Sequence, residues 1–343
     1  MNRSESSPSL GAEASPSLFG PFQVRVDPWE VDYGSETPLE PHDDKPDEDV
    51  LVDVELPPNQ WAPLNPGPVR SPGRVFFVDG VRRLETRLVV SNNGQLFHGG
   101  FGSFAVGSVE VRPGRASFGE NDLGREVILG SGKNLPRDVA VRPNLVYAAR
   151  SAKETEPDAP LRTIQANMRR AEFRLARRLT DLADTLVVTD GPLGAGGKGN
   201  AIGLIKRISE LYLPNNLLAV LTGLPAGTRT PLFAIRARNR HFDRLAWFLR
   251  LAPLLPGESE LHGLVRLEVA ESVGAPEARF LADLTAVLLP RFAPPRARDP
   301  RSPQNLLPIG ALEQQLRHAL GDQRLVGRWI QTLVAREASH ARP

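Results

Sequence analysis

The chain of 343 residues has no cysteine, so it has neither a disulfide framework nor a thiolate metal site, and a reducing compartment is the economical reading. Lysine is scarce as well, at positions 45, 133, 153, 198 and 206 alone, and nearly all of the 42 Lys+Arg are arginine. That bias has two sources, a GC-rich coding sequence and phosphate binding. Long apolar runs are also missing. No stretch reaches the roughly 18 residues that span a bilayer, and the first twenty residues lack the apolar core of a secretion signal. The expectation is a soluble, cytoplasmic protein with no membrane partner. The six histidines show no His-x₃-His spacing, and no Ser/His/Asp set stands out.

What is present divides sharply by charge. Residues 1–70 carry 4 Lys+Arg against 14 Asp+Glu, a net −10, which leaves about +12 on residues 71–343. A basic body suits a polyanion such as nucleic acid, and an acidic segment can screen or compete for that surface. The Ser/Pro/Gly-rich residues 1–20, and residues 36–55 with the run DDKPDED, read as disordered or weakly ordered. Residues 1–70 are therefore expected to be a largely flexible segment. Within it FQVRVDPWEVDYG, residues 22–34, is too apolar for a linker and is expected to dock, on the chain's own body before a partner.

The body, residues 71–343, opens with VFFVDG (Val75–Gly80) and continues through Asn92-Asn93-Gly94, a hairpin turn between β-prone segments. A loop-rich insert is expected at 122–138 and a strand at 144–149. From Ala159 the period changes to helical: Leu161, Ile164, Met168, Leu175, Leu179 and Leu182 recur at three and four, with arginines on the other faces. The helix leads into a second apolar strand ending in Asp-Gly, LVVTDG (Leu186–Gly191). Beyond it the patterns predict helix GLIKRISELYL, strands LLAVLTG and TPLFAIRA, helix FDRLAWFLRL, strand LVRLEVA, helix EARFLADLTAVLL and a terminal helix around 312–334. Strands first and mixed elements later indicate an α/β fold with a mixed sheet flanked by helices.

Three acids do not suit their places. Glu172 lies on the core-facing stripe of the helix, where an unpaired carboxylate costs several kcal/mol and needs a cation, a proton or a metal. Asp79 and Asp190 each end a buried strand, at the rim where a sheet meets its ligands; singly, each Asp-Gly is ordinary turn chemistry. Together the three make an all-oxygen set of the kind that binds Mg²⁺ or Mn²⁺ and activates phosphodiester hydrolysis. Strand-Asp, further strands, helix-Glu, strand-Asp is the order of ribonuclease H-like nucleases.

On FVDGVRRLE, NMRRAEFRLA, LVVTDGPL with AIGLIKR, and QNLLPIGALEQQLRHALGD, the sequence resembles the NurA nuclease family, partners of the HerA translocase, over roughly residues 73–334. The resemblance implies an RNase H-like fold and a homodimer. It implies manganese-dependent 5′ to 3′ exonuclease action on single- and double-stranded DNA, endonuclease action on single strands, and DNA-end resection with a hexameric HerA-type ATPase. Magnesium is the second candidate ion. By matching position the metal ligands are Asp79, Glu172 and Asp190, and Lys206 matches a family lysine, its ammonium suited to stabilise the scissile phosphate or to position water. The late motif departs from the family form, in which Tyr-Pro leads to an Ala-His pair. Here Glu313 and His318 are the candidates to complete the site, Glu313 before His318.

Two further features compete. Gly194-x-Gly196-x-x-Gly199 follows a strand, but the next strand-like run, LLAVLTG, ends in no acid to hold a ribose, and the stretch fails as a P-loop. It reads as a loop near the site. In IRARNRHFDRLAWFLR basic residues alternate with aromatics, as in single-strand binding, and Arg236, Arg238 and Arg240 are expected to contact phosphates. The reading from another class is a catalytically weak DNA-binding clamp of a translocase complex.

Overall fold

The computed structural model describes residues 17–27, 48–193, 199–237 and 243–340. Its strands and helices follow in the order β1 (Gln23–Val26), β2 (Glu48–Leu51), β3 (Arg74–Asn92), β4 (Gln95–Arg112), β5 (Arg115–Leu129), β6 (Val139–Arg142), β7 (Leu145–Ser151) and α1 (Ala159–Thr180). The second half adds β8 (Thr185–Asp190), β9 (Ala201–Ile205), α2 (Leu218–Thr222), β10 (Phe233–Ala237), β11 (Arg244–Arg250), β12 (Leu264–Ala270), α3 (Ala275–Leu288), α4 (Leu307–Ala319) and α5 (Gln323–His340).

The sheet runs β2-β10-β11-β12-β9-β8-β3-β4-β5-β7-β6, with β1 on β3. At its centre β3, β4 and β5 are antiparallel, while β8 and β9 run parallel to β3. The order β5-β4-β3-β8-β9, with α1 crossing between β7 and β8, is the expected ribonuclease H-like arrangement in a mixed sheet flanked by helices. The two-residue Asn93-Gly94 turn closes β3 on β4, with positive φ at both residues (48° and 80°), as a type I′ hairpin requires.

VFFV is continuous rather than alternating because the sheet is covered on both sides. Phe76 and Val78 pack with Ile164, Met168 and Leu175 of α1. Val75 and Phe77 join the other core with Leu186, Val188 and Leu281 of α3. No helix among the described residues is long and apolar enough to cross a membrane.

Several expected elements are corrected. FDRLAWFLRL is not a helix: Arg244–Arg250 is β11, in antiparallel register with β12, and Leu245 to Arg250 are all buried. A strand buried on both faces carries no period of two, so short apolar runs do not distinguish it from a helix. The same ambiguity reverses LLAVLTG, which holds the helical turn α2 instead of a strand, and GLIKR, whose first residues are β9. Residues 122–129 extend β5 rather than forming a loop. The terminal helix is two, parted at Gly321, whose φ of 80° suits a helix-ending glycine.

Within the described part of residues 1–70, two short strands, β1 and β2, join the sheet. Phe22 and Val24 are buried in the β1–β3 core, so this part of the 22–34 stretch docks on its own body. β2 pairs with β10, and Trp61 is buried, donating its indole N–H to the Val52 carbonyl at 2.8 Å. Apolar residues between the acidic runs supply that anchoring. Of the runs expected to be disordered, 1–20 and 36–55, residues 1–16 and 36–47 lie outside the described residues, while residues 48–51 form β2; residues 28–34 of the expected docking stretch also lie outside them.

Candidate metal centre

Val78 pairs with Thr189 in the parallel β3–β8 ladder, and Asp79 and Asp190 each lie one residue beyond that pair. Neighbouring strands are about 4.8 Å apart, so the two carboxylates emerge side by side. Both keep the parity of Phe77 and Val188, on the α3 side of the sheet. Lys206 keeps the parity of Leu204 on β9 and arrives on the same face, its Nζ 2.6 Å from Asp190 Oδ2 and 2.8 Å from Asn305 Oδ1.

Glu313 comes from α4. Gly107 faces Asp79 across the β3–β4 ladder, and a Cβ there would lie 3.1 and 3.2 Å from Leu316 and Leu312. The bare backbone lets α4 seat, and Glu313 is carried to the aspartates. Oxygens of Asp79, Asp190 and Glu313 lie within 4.8 Å of one another. Glu313 Oε1 is 3.8 Å from Lys206 Nζ, and the Arg301 guanidinium donates to both Glu313 oxygens, at 2.9 and 2.8 Å.

Glu172 approaches from the opposite face, on α1. Its carboxylate lies against Gly80, where any Cβ would collide with Glu172 Oε1 and with Met168. It is not one of the three residues whose oxygens converge, but it lines the same cleft as Asp79 and Asp190. Of the residues expected to form the site, then, Asp79, Asp190, Lys206 and Glu313 gather on one face, with Glu172 across the opening between β3 and the end of β8. His318 is exposed on α4 and is not among the residues whose oxygens or nitrogens converge with Asp79 and Asp190. Arg236 is exposed and donates to Glu271 at 2.8 Å, while Arg238, Arg240 and residues 194–198 of the glycine-rich loop lie outside the described residues.

The charges are unbalanced. Burial, then repulsion from Asp190, Glu172 and Glu313, holds the Asp79 carboxyl well above the usual range, against the pull of Lys206. Its Oδ1 accepts the Gly80 N–H at 2.7 Å, and its Oδ2 is buried without a hydrogen-bond partner among the described residues. Burial, with Asp190 nearby, pushes Glu172 up to about 8 despite the guanidiniums of Arg169 and Arg82. Asp190 is also raised by burial, with Lys206 opposing. An oxygen-only set with a buried orphan acceptor and mutual repulsion fits a hard divalent cation. Asp79, Asp190 and Glu313 would hold it, with Glu172 adjoining.

Nothing in the local sequence marks Arg301 or Asn305. Both sit in or beside a Pro/Arg-rich connection with many equivalent arginines, and Asn305 meets Lys206 across 99 residues of chain.

No protein-family model matches the chain, and no curated protein does. Among solved structures, the NurA nuclease from Sulfolobus solfataricus is similar over 77% of this chain and 87% of its own, with a TM-score of 0.45 and 12% identity. The catalytic domain of human endonuclease V is similar over 73% and 85%, with a TM-score of 0.32 and 14% identity. At such distances neither assigns a role to any residue here.

Proposed function

We propose that this protein is a metal-dependent DNA nuclease whose phosphodiester chemistry takes place at Asp79, Asp190 and Glu313, with Glu172 beside them. One observation carries the reading: three carboxylates from separate elements converge within 4.8 Å, at the centre of a ribonuclease H-like sheet. A bound Mn²⁺ or Mg²⁺ supplies charge to polarise the phosphodiester and acidify the attacking water. Asp79, Asp190 and Glu313 offer it oxygen ligands, and Arg301 fixes the direction of Glu313 through both carboxylate oxygens. The Lys206 ammonium is placed to neutralise a phosphate oxygen entering beside Asp190. Burial and the neighbouring Asp190 push the Glu172 carboxyl up to about 8, which suits a group that holds a proton beside the cleft.

The resemblance to the NurA family supports the finer reading of 5′ to 3′ exonuclease action on single- and double-stranded DNA and endonuclease action on single strands, with manganese preferred. It also supports a cytoplasmic homodimer acting with a HerA-type ATPase in DNA-end resection and recombinational repair. The clamp reading draws on the Lys206–Asp190 and Arg301–Glu313 pairs, which offset two carboxylates without any ion.

End-labelled single- and double-stranded DNA, incubated with Mn²⁺, Mg²⁺ or EDTA, with and without a HerA-type ATPase, separates the two. A nuclease gives metal-dependent products that vanish in Asp79→Asn. A protein that binds DNA under every condition and never cuts it is a clamp.

A further inference from the structure

Between α1 and the ends of β3 and β8 lies a cleft of about 270 Å³ that opens on the carboxylates. Two rows of α1 side chains line it. Met168, Glu172, Ala176 and Thr180 form the inner row, and Gln165, Arg169, Phe173 and Arg177 the outer. Side chains four apart stack on one face of a helix, at a rise of about 6 Å per step.

Three members of the outer row have no structural employment. Gln165 Oε1 is buried without a hydrogen-bond partner among the described residues. Phe173 is half-buried yet belongs to none of the hydrophobic clusters, whereas Ile164, Met168 and Leu175 of the same helix all do. The Arg177 side chain is exposed and forms no hydrogen bond or ion pair with the described residues, unlike those of Arg162 and Arg178, which pair with Asp158 and Glu120. An aromatic ring between two arginines on the lip of a charged cleft is the arrangement that binds single strands, with cations tracking the backbone and rings stacking bases. The cleft lies just below the ~300–1,000 Å³ of small-ligand pockets, which suits one nucleotide of a splayed strand and not a duplex.

We infer that the row Gln165–Arg169–Phe173–Arg177 is the track along which single-stranded nucleic acid enters the carboxylate site, with Arg169 and Arg177 on phosphates, Phe173 stacked on a base and Gln165 bonded to a base edge. This rests on the nuclease reading for its destination, but not for its binding.

The test is fluorescence anisotropy of a labelled oligothymidylate and of a labelled hairpin duplex with the full chain in EDTA, where nothing is cut. The wild type is expected to prefer the single strand. Phe173→Leu is expected to weaken it roughly tenfold or more, and Arg177→Gln to flatten the salt dependence by about 0.7 in log–log slope. Arg174→Gln, exposed on another face of α1, should change neither. Unchanged thermal midpoints confirm folding, and if Phe173→Leu misfolds, Arg177→Gln on its exposed side chain carries the test. Wild-type affinity in both variants, or a preference for the duplex, overturns the track whatever the cleavage result. Weakened binding in a protein that never cuts leaves the track standing and removes only the nuclease reading.

Discussion

Gly107 stands directly across the β3–β4 ladder from Asp79, and its lack of a side chain is what lets α4 bring Glu313 to that aspartate. A side chain at 107 must push against Leu312 and Leu316, which lie on either side of Glu313 in sequence and pack with Val81 and Val109. Gly107→Val should destabilise the fold by about 1–3 kcal/mol, the usual cost of overpacking, and should weaken divalent binding as α4 lifts. Denaturant unfolding with and without Mn²⁺ checks both; a variant with wild-type stability and ion binding would show that α4 seats independently of Gly107.

Stability should depend on pH in a direction set by the raised carboxyls. Glu172 moves from 4.5 to about 8 on folding, and Asp79 and Asp190 move the same way. The folded state then holds more protons than the unfolded one between those limits. The contribution is therefore fully present below about pH 4.5 and is lost as pH rises through 8. Chemical unfolding in EDTA from pH 5 to 9 should show falling stability across that window. A divalent cation, which binds the ionised carboxylates, should flatten or reverse the slope. Stability that climbs with pH in EDTA would contradict the assignment.

Lys206→Met removes the cation nearest Asp190. Loss of one partner from a fully buried pair costs roughly 3–5 kcal/mol, but the Lys206 side chain is 18% exposed and Asp190 can take up a proton instead. The expected loss in EDTA is about 2 kcal/mol, with a larger effect on cleavage than on metal affinity. Full retention of kcat would remove Lys206 from the chemistry.

Arg229 provides the opposite case. Its side chain is 3% exposed and bridges Glu55 at 2.8 Å and Asp283 at 2.6 Å, tying residues 48–70 to α3. Arg229→Met takes the cation from Asp283 and leaves Glu55 to Arg279, 3.0 Å away, and should cost roughly 3–5 kcal/mol, without changing cleavage per folded molecule. Equal losses of activity and stability would instead couple this network to the site.

The acids are legible in the sequence because a carboxylate at an apolar strand end, or on an apolar helix stripe, violates the local pattern. Asp79, Asp190 and Glu172 all do so. Which of them converge is not legible. Glu172 sits on the opposite face from the aspartates, a matter of strand parity and helix placement, and Glu313 reaches them through a glycine more than 200 residues away. Arg301 and Asn305, the residues that orient Glu313 and Lys206, carry no local anomaly at all. β11 reads wrongly for the reverse reason: burial on both faces erases the periodicity that identifies a strand.

Whether the strand-end carboxylates form a divalent cation site is decided by titrating Mn²⁺ into the protein and following the free ion by electron paramagnetic resonance. The wild type should bind saturably, and binding should be lost or severely weakened in Asp79→Asn, Asp190→Asn and Glu313→Gln, while Arg174→Gln binds normally. If a folded wild type shows no saturable binding, or if binding is indifferent to all three substitutions, the carboxylates are not a metal site and the proposed chemistry falls with them.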